Sequence, residues 1–303
     1  MAGSPAHKFG QIIGDLLEGA VEPSLRDVAG RHHLYLDRRG NRPARAGRKV
    51  SWTDEFGNVH DLDYVLERGG TAEQIGTPVA FIEVAWRRYT KHSRNKAQEI
   101  QGAVLPLVST HRRCAPFIGL VLAGVFTEGA LTQLRSLGFA LVYFPYDTVV
   151  EAFRAVAIDA WFDESTSEAE FRRKVRAWEK LPRERQERVA RNLVELNMAG
   201  VESFVSALER AVARHVRSVR VLPLHGAAAE LASAEDAVAF IEAYRERQAA
   251  RPVVKYEIEV RYDNGDRIEA HFGDKHSAIE FLRGFLSPHL TPANGPSASA
   301  DGR

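Results

Sequence analysis

A single cysteine, Cys114, in 303 residues excludes an internal disulfide and any cysteine-cluster zinc site, and fits a reducing cytoplasm. Long apolar runs are missing as well. No stretch approaches the roughly 18 apolar residues of a membrane-spanning helix. The opening residues MAGSPAHKFG lack the apolar segment behind a basic patch that marks an export signal. The expectation is a soluble, cytoplasmic chain with no membrane partner. A dominant charge is also absent: 41 basic against 40 acidic residues leave a net +1, so bulk charge does not announce a polyanionic partner. Gly69-Gly70 has no Lys-Ser/Thr companion, which argues against a nucleotide-phosphate loop. His32, His33 and His111 have no partner at metal-ligand spacing and read as loop or surface residues. Cys114, followed by Ala115-Pro116, shows no sign of nucleophile activation.

What is present is enough apolar residue, 45% of the chain, to bury a sizeable core, with room for one main domain and a smaller one. Phe9, Ile12, Ile13, Leu16 and Leu17 fall at helical spacing over residues 9–20, and Pro23-Ser24 opens a second short helix with Leu25 and Val28. The basic run 38–48 reads as an exposed loop. Strands are expected at 50–53 and 59–66, as a hairpin around the turn 54–58, and at 79–87. A helix over 93–108, a buried strand over 117–125, a helix capped by Thr127, and a strand over 139–144 follow. This order predicts an α/β sandwich with a mixed sheet flanked by helices. Charged helices occupy 168–181 and 183–196. A small α+β module comes next, with a strand at 219–224, a helix from Ser233 to 247, strands 254–262 and 267–272 joined at Asn264-Gly265, and a closing helix at 277–285. The expected division is a core at 1–160, a helical segment at 161–217, the α+β module at 218–290 and a disordered tail at 291–303.

Chemistry is signalled where carboxylates interrupt apolar strands. In residues 60–66, Leu62, Tyr64 and Leu66 face one side of an extended chain, and Asp61 and Asp63 share the other. Asp61 reads as a solvated neighbour. In residues 81–87, Glu83 stands alone among apolar residues. Acids at such positions lose hydration, and a bound divalent cation is the strongest compensation; oxygen donors suit Mg²⁺ or Mn²⁺ rather than zinc. Between Glu83 and Glu99 there is no acidic residue, while Arg87, Arg88, Lys91, Arg94 and Lys96 all lie in that interval. Such a concentration of positive charge suits phosphate binding.

These residues resemble the PD-(D/E)XK nuclease superfamily, which includes many restriction endonucleases. The resemblance covers about residues 9–145 and rests on the element order, on Gly14-Asp15-Leu16-Leu17-Glu18, on Asp61-Leu62-Asp63 and on Glu83-Val84-Ala85. It implies a restriction-endonuclease-like fold in which Asp63 and Glu83 bind the metal, Glu18 on the first helix assists, and Lys96 or Gln98 on the helix after the third strand contributes. The family pattern places lysine two residues after the glutamate, where this chain has Ala85. Lys96 is the favoured replacement, with Lys91 and Arg87 the other candidates. The resemblance further implies hydrolysis of DNA phosphodiesters, with Arg87, Arg88, Lys91, Arg94 and Gln98 along the backbone. It also implies a setting in restriction or phage defence, with pairing of two copies or docking of other defence subunits. Because Ala85 is no amine, a non-cleaving subunit that binds DNA or a partner is the alternative.

Overall fold

The chain enters its first helix, α1 (Pro5–Arg31), through Ser4, whose hydroxyl accepts from the His7 amide at 3.2 Å, with proline in the first turn where its missing N–H costs nothing. The computed structural model describes residues 4–224, 226–246 and 255–286, with the side chains of 91–93 excepted. The expected tail at 291–303, and the expected boundaries at Arg247 and Val254, lie outside the described residues. Where two helices were expected there is one, with Pro23 inside it. An internal proline costs about 3 kcal/mol. Burying Leu25 and Val28, at 1% and 0% exposure, gains roughly 1.5–3 kcal/mol each, so continuing the apolar stripe wins.

After α1 comes a strand absent from the sequence reading, β1 (Leu34–Arg38). Then follow β2 (Val50–Thr53), β3 (Val59–Leu62), β4 (Tyr64–Arg68), β5 (Thr77–Arg87), α2 (Thr90–Thr110), β6 (Phe117–Gly124), α3 (Glu128–Ser136), β7 (Ala140–Pro145) and α4 (Tyr146–Arg154). The strand expected at 59–66 breaks at Asp63. Its first half pairs with β2 in a two-stranded sheet, and its second half enters a five-stranded sheet of order β1-β4-β5-β6-β7. The pairs β1/β4 and β4/β5 are antiparallel, whereas β5/β6 and β6/β7 are parallel, so the sheet is mixed and helices flank it.

The pleat divides β5 between two cores. Ala80 and Ile82 join the α1 side, and Phe81 and Ala85 join the α2/α3 side with Ala97, Ile100, Val104 and Leu107. Thr127 caps α3 as expected, accepting from the Ala130 amide at 3.2 Å. Its replacement, Thr127→Ala, is expected to cost about 1 kcal/mol in urea unfolding, because an amide of the first turn loses its acceptor.

Residues of the expected helical segment form α5 (Glu168–Glu179), α6 (Arg183–Glu195) and α7 (Met198–Val212). Their Phe171, Val175, Val189, Leu193, Phe204 and Leu208 belong to the same apolar cluster as Phe9 and Leu17, and residues 1–214 form one compact unit.

Beyond Arg38 the basic run 38–48 is a loop and most of it is exposed, as expected, but two of its arginines, Arg42 and Arg45, turn inward. Arg42 is 4% exposed and forms a paired contact with Glu67 (2.5 and 2.9 Å) and a 2.9 Å bridge to Asp37, both acids also being buried. Its remaining donors reach the carbonyls of Thr71 and Gln74. Arg45 grips Asp37 from the other side, at 3.0 and 3.2 Å.

Residues 215–303 form the second unit. It contains β8 (Val216–Pro223), β9 (Ala229–Leu231), α8 (Ala234–Ala243), β10 (Tyr256–Tyr262), β11 (Arg267–Phe272) and α9 (Lys275–Arg283). The sheet order is β11-β10-β8-β9. Ser233 caps α8, and the β10–β11 turn uses Gly265 at φ +92°, as the Asn-Gly dipeptide predicts. Tyr256, Ile258, Val260 and Tyr262 all face inward and are buried. Among the described residues, no helix is long and apolar enough to cross a membrane.

Candidate functional site

The break between β3 and β4 places Asp63 where the small hairpin hands over to the main sheet. The last ladder pair there is Tyr64 with Ile82, so Asp63 stands beside Glu83. The Val84 amide donates to Asp63 Oδ2 at 2.7 Å, which fixes one carboxylate oxygen at the end of β4. Glu83, on the face that α2 covers, is 8% exposed, and its Oε1 is buried without a hydrogen-bond partner. Glu18 approaches from α1. Its carbonyl accepts from the Tyr64 hydroxyl at 3.1 Å, which ties that turn of the helix to the start of β4.

The three carboxylates feel one another. Burial, and next the Asp63 charge, push the Glu83 pKa up to about 8. Burial, followed by Asp63 and Asp15, pushes Glu18 up to about 7. Burial raises Asp63 also, against the Val84 N–H and the charges of Lys96 and Arg39. Burial is the largest cause at all three, and at Glu83 and Glu18 the neighbouring acids add an excess of like charge. Lys96, in the first turns of α2 and half-buried, works against that excess at both Asp63 and Glu83, and also lies 3.4 Å from Glu99.

The structure thus brings together Asp63, Glu83, Glu18 and Lys96. Arg87 follows Glu83 on the same face; its guanidinium Nη1 donates to the Trp86 carbonyl at 2.8 Å, with Glu99 at 3.8 Å. Arg94 and Gln98 are exposed on α2, and the side chain of Lys91 lies outside the described residues. Arg88 is occupied inside the protein: its guanidinium stacks on Tyr146 at 3.9 Å and donates to the Phe162 carbonyl at 2.8 Å. Asp61 is held by Lys49 (2.5 Å) and Ser51 (2.6 Å) across the hairpin, away from the cluster's chemistry. Ala85 is buried in the α2-side core. His111, read from sequence as a surface residue, packs edge-on to Trp52 at 5.4 Å, and burial pushes its pKa down.

Sequence reasoning missed Arg39, whose charge acts on Asp15, Glu18 and Asp63. Its signal was hidden inside a basic run without a strand pattern.

Among the described residues, no group of three or more histidine, cysteine, aspartate or glutamate side chains is placed so that it could hold a metal ion. The donor chemistry nonetheless fits Mg²⁺ or Mn²⁺. Mg²⁺ is commonly held by one or two carboxylates, with water and substrate oxygens completing its shell, and an orphaned buried carboxylate oxygen is the group that such an ion satisfies.

No family model matches the chain, and no curated protein matches it. A crystal structure of a protein of unknown function is similar to it at 11% identity and a TM-score of 0.26, covering 60% of this chain and 98% of that one.

Proposed function

We propose that the chain is a metal-dependent endonuclease that hydrolyses DNA phosphodiester bonds on a restriction-endonuclease-like core. Asp63 and Glu83 would hold Mg²⁺ or Mn²⁺, Glu18 would assist, and Lys96 would supply the amine that Ala85 cannot. The observation that carries this reading is Glu83 Oε1, a buried carboxylate oxygen with no partner, beside a second carboxylate and a lysine. Left as it is, that oxygen costs desolvation energy without return.

A dication held by Asp63 and Glu83 would supply Lewis acidity toward water and toward the scissile phosphate. The chain's own residues do the rest. Asp63 is pinned by the Val84 amide, so its carboxylate meets a ligand with little reorganisation. Lys96 carries a positive charge next to both acids, where it stabilises the charge that develops on a phosphate. Arg87 and Arg94 extend that positive potential along α2 for backbone contacts, which give salt-sensitive affinity without sequence readout. A role in restriction or phage defence, with a second copy or another subunit completing the assembly, belongs to the same proposal through the family resemblance.

The test is plasmid nicking with Mg²⁺ or Mn²⁺. Wild type is expected to nick, and Asp63→Ala and Glu83→Gln to be slower by about 100-fold or more. Nicking that persists unchanged in Asp63→Ala sinks the proposal. Duplex binding without cleavage under either ion favours a non-cleaving DNA-binding subunit, the reading that Ala85 supports.

A further inference from the structure

The ladder registers align a row of residues across the sheet. Arg38 pairs with Tyr64 and Tyr64 pairs with Ile82, where both ladders end; Arg39 and Asp63 are the next residues outward, beside Glu83, and the Arg39 charge acts on Asp63. Since β1 is the edge strand, Arg39 is the outermost of these three and is exposed.

Two further observations separate Arg39 from an ordinary surface cation. Its backbone is clamped on both sides: the guanidinium of Arg45 donates to the Arg38 carbonyl at 2.8 Å and to the Gly40 carbonyl at 3.1 Å, and the Gly40 amide donates to the Arg48 carbonyl at 2.8 Å. Arg38 is tied down as well, to Glu22 on α1 at 3.4 Å, one turn beyond Glu18. A buried ion network thus fixes the position of an exposed arginine. Among the described residues Arg39 itself forms no ion pair or hydrogen bond, even though acidic groups surround it. Its five donors are free for a ligand.

We infer that Arg39 is a phosphate-binding residue of the acid cluster, engaging the non-bridging oxygens of a DNA phosphate at the open edge of the sheet, opposite the α2 cations. The inference rests on the nuclease reading for the identity of the ligand. It adds a second, independent source of positive charge, which bears on the missing lysine at Ala85. Guanidinium is a poor proton carrier and a strong two-pronged phosphate ligand, so its work is charge stabilisation and positioning, with no proton transferred.

The test measures binding of a short labelled DNA duplex in Ca²⁺, a hard cation that occupies oxygen sites, across a salt series. Arg39→Gln is expected to weaken binding about tenfold and to reduce the slope of log affinity against log salt by about 1. Arg39→Lys should restore the slope, because charge alone sets it. In Mg²⁺, Arg39→Gln should lower kcat about 100-fold with a smaller change in KM, which a purely structural role would not produce. Arg39→Gln with wild-type affinity and slope overturns the inference, as does a wild type that binds no duplex. If wild type binds with this Arg39 dependence but never cleaves, the phosphate site stands and hydrolysis fails.

Discussion

Arg42→Ala is expected to destabilise the first unit by roughly 3–5 kcal/mol, enough to lower its thermal midpoint by about 10 °C. Arg42 is one of the few charged groups wholly inside the protein, and its removal leaves Glu67, at 0% exposure, with no cation and only the Gly76 amide at 2.7 Å. Burial works to lower the guanidinium pKa, but the hydrogen bonds to Glu67 and then Asp37 outweigh it and push the pKa upward. The network is therefore closed, and opening it strands an acid. Replacing both ends with apolar residues, Arg42→Met with Glu67→Met, should cost less than Arg42→Met alone, because the penalty lies in the unpaired charge and not in the absent pair. Urea unfolding of the two single variants and the double variant measures the coupling. Additive losses would show that Arg42 acts by packing against Tyr35, whose ring it covers at 4.2 Å, and not by charge.

The same network explains why part of the site could not be read from sequence. Asp63 and Glu83 were legible because each is an acid inside an apolar strand pattern, and desolvation makes such a placement informative. Lys96 was reached through the family resemblance, as one of several basic residues in the helix after β5, with Lys91 and Arg87 as rivals. Arg39 was not. It lies at the head of a run rich in arginine and glycine, and nothing local distinguishes buried Arg42 and Arg45 from exposed Arg48. Their burial depends on Asp37 and Glu67, which come together only when β1 pairs with β4. β1 itself was hidden for a related reason: its residues are half-buried without a clean alternation, so period two is weak. The long α1 was misread at Pro23 because a local breaker was weighed above an apolar stripe that continues past it. Arg88 was placed with the phosphate binders from its position next to Arg87. Its partners, Tyr146 and Phe162, are more than fifty residues away, and no local pattern reveals stacking of that kind.

In the metal-free protein, Glu83→Gln is expected to raise stability at about pH 9 by an amount on the order of a few kcal/mol, and to change little near pH 5. The sign follows from the proton count. Folding raises the Glu83 pKa from the usual carboxylate range to about 8, because of burial first and the neighbouring Asp63 second. Well below the ordinary glutamate pKa both folded and unfolded chains hold the proton, and the group is neutral in its effect. As pH rises from there to about 8, the unfolded chain releases the proton while the folded one retains it, so stability falls across that window and then levels off. Glu18, raised to about 7, adds a fall in the same direction. Glutamine has no proton to lose and should flatten most of the slope. Mg²⁺ should do the same for wild type by binding the ionised pair, and should add little to Glu83→Gln, since a ligand stabilises only the state that holds it. Unfolding midpoints with EDTA or Mg²⁺ near pH 5, 7 and 9 read both effects. A flat wild-type profile in EDTA would show that Glu83 ionises freely in the folded protein, and the excess of buried negative charge on which a cation site depends would be gone.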